Sequence, residues 1–166
     1  MGSDQLGTCL AIRRVSLSDD DALRLVEEVQ QEYVARYGGR DDTPLDPGVF
    51  DDPAGALFVG YLHDQPVVSG GWRLRRDVTA HGSDRTAEVK RMYVVPGARG
   101  RGLARRMLVH LEATALAAGA EVMVLETGAQ QPEAMALYES CGYVRIPGFG
   151  HYAWSPNNRC YARRLL

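Results

Sequence analysis

Lysine is nearly absent: Lys90 is the only one, and the other eighteen of the nineteen basic residues are arginines. Against twenty-one acidic residues this leaves a formal net charge of −2. That balance argues against nucleic acid as the main partner, because phosphate backbones select net basic surfaces. Cysteine is scarce too. Cys9, Cys141 and Cys160 are odd in number and form no CxxC pair, which argues against a disulfide framework and a cysteine zinc site and fits a reducing compartment. No metal is expected. No apolar run approaches the length of a membrane span. The N-terminal residues lack the basic flank and apolar stretch of a secretory signal, and Leu6 stands where a myristoylation motif after Gly2 needs Ser or Thr. These absences predict a cytoplasmic protein without a membrane partner.

What is present suits one folded unit. The 166 residues are 45% hydrophobic and 24% charged, and a chain near this size buries roughly 70% of the surface its unfolded form exposes. Residues 1–166 are therefore expected to form one domain. Residues 8–15 read as a short strand. Asp19 to Asp21 suit a helix start, with Leu23, Val26, Val29, Tyr33 and Tyr37 at helical spacing and Gly38-Gly39 as the stop. A polar loop with Pro44, Pro47 and Pro53 leads to strands at 56–62 and 66–75, joined through His63-Asp64-Gln65 as a hairpin. A fourth strand spans 86–95, and a helix carrying Leu103, Met107, Leu108, Leu111 and Leu116 runs to Gly119. The apolar run 121–126 reads as a strand buried on both faces. A helix opens at Pro132 and closes at Gly142, and a last strand lies near 159–166. The order β-α-β-β-β-α-β-α-β makes a mixed sheet flanked by helices, an α/β fold.

The most informative stretch is Val94-Val95-Pro96-Gly97-Ala98-Arg99-Gly100-Arg101-Gly102-Leu103-Ala104-Arg105-Arg106. It runs from strand through Gly-rich turn to helix start. Free N–H groups at a helix start and its dipole favour an anion, and Gly100, Gly102 and the small Ala104 allow close approach to the backbone. Four arginines within eight positions add countercharge. A plain exposed turn is the bland reading. A Walker loop is excluded, since no GxxxxGK[ST] pattern occurs. A dinucleotide fingerprint fits less well: Arg105 occupies its third glycine position, although Glu126 ends the next strand where a ribose acid would sit.

The segment Arg99-x-x-Gly102-x-Ala104 resembles motif A of the GNAT acetyltransferase superfamily. Downstream, Ala134-x-x-Leu137-Tyr138-x-x-x-Gly142-Tyr143 resembles its motif B, and the two follow in order with a strand between them. The resemblance implies a mixed, mostly antiparallel sheet whose fourth and fifth strands splay apart, with acetyl-CoA in the wedge as cosubstrate. It implies backbone contacts to the pantetheine arm from Met92 and Val94, and a pyrophosphate loop of Arg99, Gly100, Arg101, Gly102, Leu103, Ala104 and Arg105. Gln131 stands where many members carry Asn to hold the pantetheine. The segment Glu126-Thr127-Gly128 with Gln130-Gln131-Pro132 resembles a bacterial subgroup of the family.

The resemblance implies N-acetyl transfer to a small primary amine by direct attack in a ternary complex, and leaves room for a homodimer. A coenzyme-A-binding sensor without turnover is the alternative. An alkylamine ordinarily titrates at about 10.4 and is protonated at neutral pH, so a base must take its proton. Glu88, six residues before Val94, matches the position of the base in several members; otherwise it is a strand glutamate paired with Arg91 or Lys90. Tyr138 matches the motif B tyrosine that donates to the departing thiolate; otherwise it is a core aromatic. A covalent route through Cys141, activated by His110 or His151, is the lesser alternative. Phe149 and Tyr152, in the aromatic stretch 147–157, are candidates for the acceptor wall, since aromatic faces attract ammonium groups. Asp41, Asp42, Asp46, Asp51 and Asp52 form an acidic stretch that would attract a cationic substrate such as an aminoglycoside or polyamine; a solvated loop with helix-capping aspartates is the preferred reading.

Overall fold

The computed structural model describes residues 9–46 and 48–166; Gly2, Leu6, Thr8 and Pro47 lie outside the described residues. Strand β1 (Ala11–Val15) precedes helix α1 (Asp20–Tyr37). The Asp19 side chain accepts from the Ala22 N–H at 3.0 Å, and Gly38, at φ 78°, ends the helix in the left-handed conformation. The buried stripe of α1 is Ala22, Leu25 and Val29. Leu23, expected in that stripe, faces solvent; small Ala22 takes the inward position because α1 lies close on the sheet.

Strands β2 (Gly55–Leu62) and β3 (Gln65–Leu74) form the expected hairpin. Its two-residue turn, His63 and Asp64, has positive φ at both positions, the twist that suits a tight hairpin. Then come β4 (Thr86–Val94), a 3₁₀ turn at Pro96–Ala98, α2 (Leu103–Ala117), β5 (Val122–Gly128), α3 (Pro132–Ser140), β6 (Val144–Ile146) and β7 (Asn158–Arg164). The short β6 has no counterpart in the sequence pattern. Only three residues long, it carries no period of its own and exists because β7 pairs with it.

The seven strands make one sheet in the order β1-β2-β3-β4-β5-β7-β6, antiparallel throughout except for β4 and β5. Every residue of β2 is buried, because the sheet is covered on both faces. Ala56, Phe58 and Leu62 join Met107, Leu108 and Leu111 of α2 and Tyr138 of α3. The alternate residues Leu57, Val59 and Tyr61 join Leu25 and Val29 of α1. The indole N–H of Trp72 donates to Thr114 Oγ1 at 2.9 Å, tying β3 to α2. Among the described residues no helix is long and apolar enough to cross a membrane.

Candidate active site

Two neighbouring strands that part company create the site. β4 and β5 pair only from Thr86–Val122 to Glu88–Val124, and beyond that point they diverge. β4 is diverted by an extra residue near Arg91, whose φ is 58°, where its register against β3 shifts between Ser69 and Gly71. Such a bulge bends a strand and sharpens its twist. Ser69 Oγ fastens it by donating to the Arg91 carbonyl at 2.9 Å. Gly70 faces it: a Cβ there would come within 2.9 Å of Met107 and 3.0 Å of Met92. Further along, the Val95 N–H donates to Val67 of β3 at 2.9 Å. Alternation in the strand therefore turns the Val94 N–H away from β3, into the gap left by β5.

At the end of β4 the chain enters the Gly-rich turn. Gly100 and Gly102 have φ of 79° and 74°, and a Cβ on either would meet nothing within 4 Å. Gly102 caps α2 without any side-chain hydrogen bond, and no acid lies in the first turn. The backbone N–H groups at this helix start are thus open to an anion. Leu103 is buried and anchors the turn, and Ala104 leaves room beside it. The arginines divide their labour. Arg99 donates to the Val94 carbonyl at 2.9 Å and pairs with Glu32 of α1, so it braces the turn. Arg105 reaches Ser140 Oγ at 2.7 Å and Cys141 Sγ at 3.2 Å, joining α2 to the end of α3. Arg101 and Arg106 are exposed and make no ion pair among the described residues. A diphosphate fits this cradle: open glycine faces, unfilled N–H groups and two free guanidiniums.

Beside the gap lies a cavity of about 320 Å³, walled by Tyr33, Tyr37 and Asp41 from α1 and its following loop, Lys90 from β4, Glu126, Thr127 and Gly128 from β5, Gln131, and Tyr152, Trp154 and Asn158 from the C-terminal segment. Tyr152 is therefore at the cavity, as its candidacy required. Phe149 is not: it packs with Val78, Val122 and Ala162, with the Arg75 guanidinium 5.7 Å over its ring. Gly128 is needed where it stands, since a Cβ there would collide with the Tyr37 hydroxyl. The amide nitrogen of Gln131 donates to that hydroxyl at 3.1 Å.

Asp42 is exposed, as a solvated loop implies, but Asp41 is not. Asp42 accepts a hydrogen bond from the Tyr152 hydroxyl and, at 3.0 Å, lies against His151 Nε2, tying the C-terminal segment to the loop beside the cavity. Asp41 is held by Arg91 at 2.8 Å, by the Thr43 N–H and hydroxyl at 3.0 and 2.6 Å, and by Lys90 at 3.8 Å. Burial pushes its carboxyl up, but Lys90, Thr43 and Arg91 outweigh that and bring it down to about 2. It stays ionised.

Glu88 sits at the vertex of the wedge with its side chain 2% exposed. Its Oε1 accepts from Arg73 at 2.7 Å and Arg75 at 2.9 Å, so its partners are arginines of β3 and the turn after it, not Arg91 or Lys90. A base must be reachable, and this carboxylate is enclosed by two guanidiniums. Glu126 differs. It is half-buried at the cavity, with Gly150 close above its Oε2. Burial pushes its carboxyl up to about 7, with Lys90 and Arg75 opposing and Glu88 and Asp41 assisting. A carboxylic acid that titrates near neutral pH is suited to moving protons there. In the sequence Glu126 stands out only as a strand-end acid, because its burial depends on residues far away in the chain.

Tyr138 is buried between Tyr143 and Tyr161, with ring centroids 5.8 and 6.4 Å away. Burial, with Tyr33 and Cys141 nearby, raises its phenol well above the ordinary range, so it keeps its proton and stays a donor. Its hydroxyl makes no hydrogen bond among the described residues. Cys141 has no histidine beside it: His110 packs edge-on against Phe58 at 4.5 Å, and His151 faces Asp42.

A sheet split at its fourth and fifth strands, an anion-binding turn at one side of the split and a cavity beside it define an acyl-CoA-dependent acyltransferase. Residues 22–143 match the family model described as "Acetyltransferase (GNAT) family", and the chain belongs to that family as an N-acetyltransferase. A protein of Azospirillum brasilense named "IAA acetyltransferase" is 31% identical over 147 residues, covering 89% of this chain and 92% of that one. Among solved structures, an acetyltransferase of the GNAT family from Staphylococcus aureus Mu50 superposes with a TM-score of 0.72 at 18% identity, covering 95% of this chain and 100% of that one. A spermidine N-acetyltransferase from Vibrio cholerae, solved with CoA and spermine, gives 0.66 at 17% identity, covering 94% and 95%. At those identities the two structures speak for the fold alone.

Proposed function

We propose that this protein transfers an acetyl group from acetyl-CoA to a small primary amine held in the 320 Å³ cavity, by direct attack with both substrates bound. One observation carries the reading: the cavity containing a proton-accepting carboxyl, Glu126, abuts the gap between β4 and β5. The open N–H groups at Gly102, Leu103 and Ala104, with Arg101 and Arg106, are assigned to the diphosphate. Arg99 and Arg105 shape that turn. The backbone of Met92 and Val94, facing the gap, is assigned to the pantetheine arm. Gln131 supports the same arm through its carbonyl oxygen, since its nitrogen is engaged by Tyr37.

When bound, acetyl-CoA supplies the acetyl group as a thioester, whose carbonyl carbon gains the amine nitrogen as its bond to sulfur breaks. Glu126 takes one proton from the entering ammonium and releases it to solvent. Tyr138 donates to the departing sulfur, which finally carries a second proton from the nitrogen, so one amide, one thiol and one free proton result. The Val94 N–H offers a hydrogen bond to charge developing in the gap. Tyr152, tied to Asp42, forms one wall of the cavity.

The test is thiol release from acetyl-CoA with a panel of primary amines, alongside calorimetry of acetyl-CoA binding. Amine-dependent thiol release supports the reading. Tight acetyl-CoA binding with no release from any amine would replace it with a coenzyme-A sensor.

A further inference from the structure

Lys90 occupies an unusual place. It is the only lysine of the chain and its side chain is 10% exposed, yet it lines the cavity. A buried ammonium is costly unless paired. Its nearest carboxylate oxygen, Asp41 Oδ2, is 3.8 Å away and is already held by Arg91 at 2.8 Å. The other oxygen of Asp41 takes both donors of Thr43. No ion pair joins Lys90 to Glu126, although both line the cavity. The charges around the wedge sum similarly. Arg73, Arg75, Lys90 and Arg91 are matched against Glu88, Asp41, Asp77 and Glu126. Each time Glu126 takes a proton, one positive charge is left over.

We propose that the acceptor is a small zwitterion of amino-acid type, whose carboxylate sits against Lys90 while its amine faces Glu126. This rests on the acetyl-transfer reading above and narrows it. A simple polyamine would add cationic charge beside Lys90, whose one carboxylate, Asp41, lies 3.8 Å away and is shared with Arg91. An amino acid brings one carboxylate for Lys90 and one ammonium for Glu126, so the site stays neutral as it fills. A cavity of about 320 Å³ is at the small end of ligand sites, which run from roughly 300 to 1,000 Å³. It suits one amino acid. Tyr33, Tyr37 and Trp154 supply an apolar wall for the side chain.

The experiment compares matched acceptors that differ only in the carboxylate: phenylalanine with phenethylamine, methionine with 3-(methylthio)propylamine, and ornithine with putrescine. Thiol release with saturating acetyl-CoA gives kcat/KM for each, in the wild type and in Lys90→Gln and Lys90→Arg. At least one acid should exceed its decarboxylated partner by about tenfold or more, the range of one charge-assisted contact. Lys90→Gln should bring that ratio close to one, and Lys90→Arg should retain part of it. Thermal unfolding of each variant separates loss of preference from loss of fold. Equal turnover of acids and amines, a ratio unchanged in Lys90→Gln, or no turnover of any acid while acetyl-CoA binds would each overturn the zwitterion proposal. Failure of the wild type to bind acetyl-CoA would instead remove the acetyl-transfer reading beneath it.

Discussion

Glu126→Gln keeps the size of the side chain and removes its ability to take a proton. Two opposite effects should follow. A positioned general base contributes about 10²- to 10⁴-fold, so kcat/KM for a good acceptor should fall about a hundredfold near neutral pH. The wild type should lose activity as pH drops through about 7, where burial has placed the Glu126 carboxyl. The variant should lack that limb and regain activity as the pH climbs, because solution then supplies neutral amine. Stability should move the other way. The folded protein holds the Glu126 proton more tightly than the unfolded chain, with the carboxyl raised from 4.5 to about 7. That stabilisation is complete below 4.5 and is lost as pH rises through 7; the shift corresponds to at most about 3 kcal/mol, and partial exposure reduces it to about 1–2. Glutamine never ionises, so Glu126→Gln should unfold at a higher temperature than the wild type above about pH 8 and match it near pH 4. The measurements are pH profiles of kcat/KM and thermal unfolding at both pH values. Parallel activity profiles offset by a constant factor, or a variant less stable at high pH, would refute the reasoning.

Gly102→Ala should weaken acetyl-CoA binding about tenfold by calorimetry, and Gly102→Val should abolish it. Both place a side chain before the α2 N–H groups at φ 74°, where a side chain costs roughly 1–2 kcal/mol; unchanged affinity in a folded variant removes the phosphate turn. Tyr138→Phe should leave acetyl-CoA affinity intact and lower kcat about tenfold, since its hydrogen bond matters chiefly as charge develops on sulfur; a kcat within twofold makes Tyr138 a packing residue. Glu88→Gln should lower stability by about 3 kcal/mol, because Arg73 would stay buried without a carboxylate while Arg75 keeps Asp77. Its residual activity should show no recovery at high pH; a variant as stable as the wild type that recovers so would return Glu88 to the role of base.

Much of this protein follows from its sequence alone, wherever the controlling physics is local. Helix ends follow from Asp19, Gly38 and Gly142, whose backbone or side chain decides within one turn where a helix stops. The hairpin at His63-Asp64 and the buried run of β5 follow from turn chemistry and from apolar content. The phosphate turn is legible because its glycines, its helix start and its arginines lie within a dozen residues, and the two motifs flanking β5 point to the family. The tertiary structure decided everything that depends on distant parts of the chain. Ala22 and Leu25, not Leu23, face inward because the closeness of α1 to the sheet selects the stripe. Glu88 meets Arg73 and Arg75 because β3 and β4 align them. Tyr152 reaches the cavity while Phe149 turns into the neighbouring core, a choice made by how the C-terminal segment folds over Asp42. Glu126 is visible in the sequence as a residue but not as a base. Its proton affinity comes from burial, aided by Glu88 and Asp41 and opposed by Lys90 and Arg75, which only folding brings together, and charge interactions act over distance in space rather than along the chain.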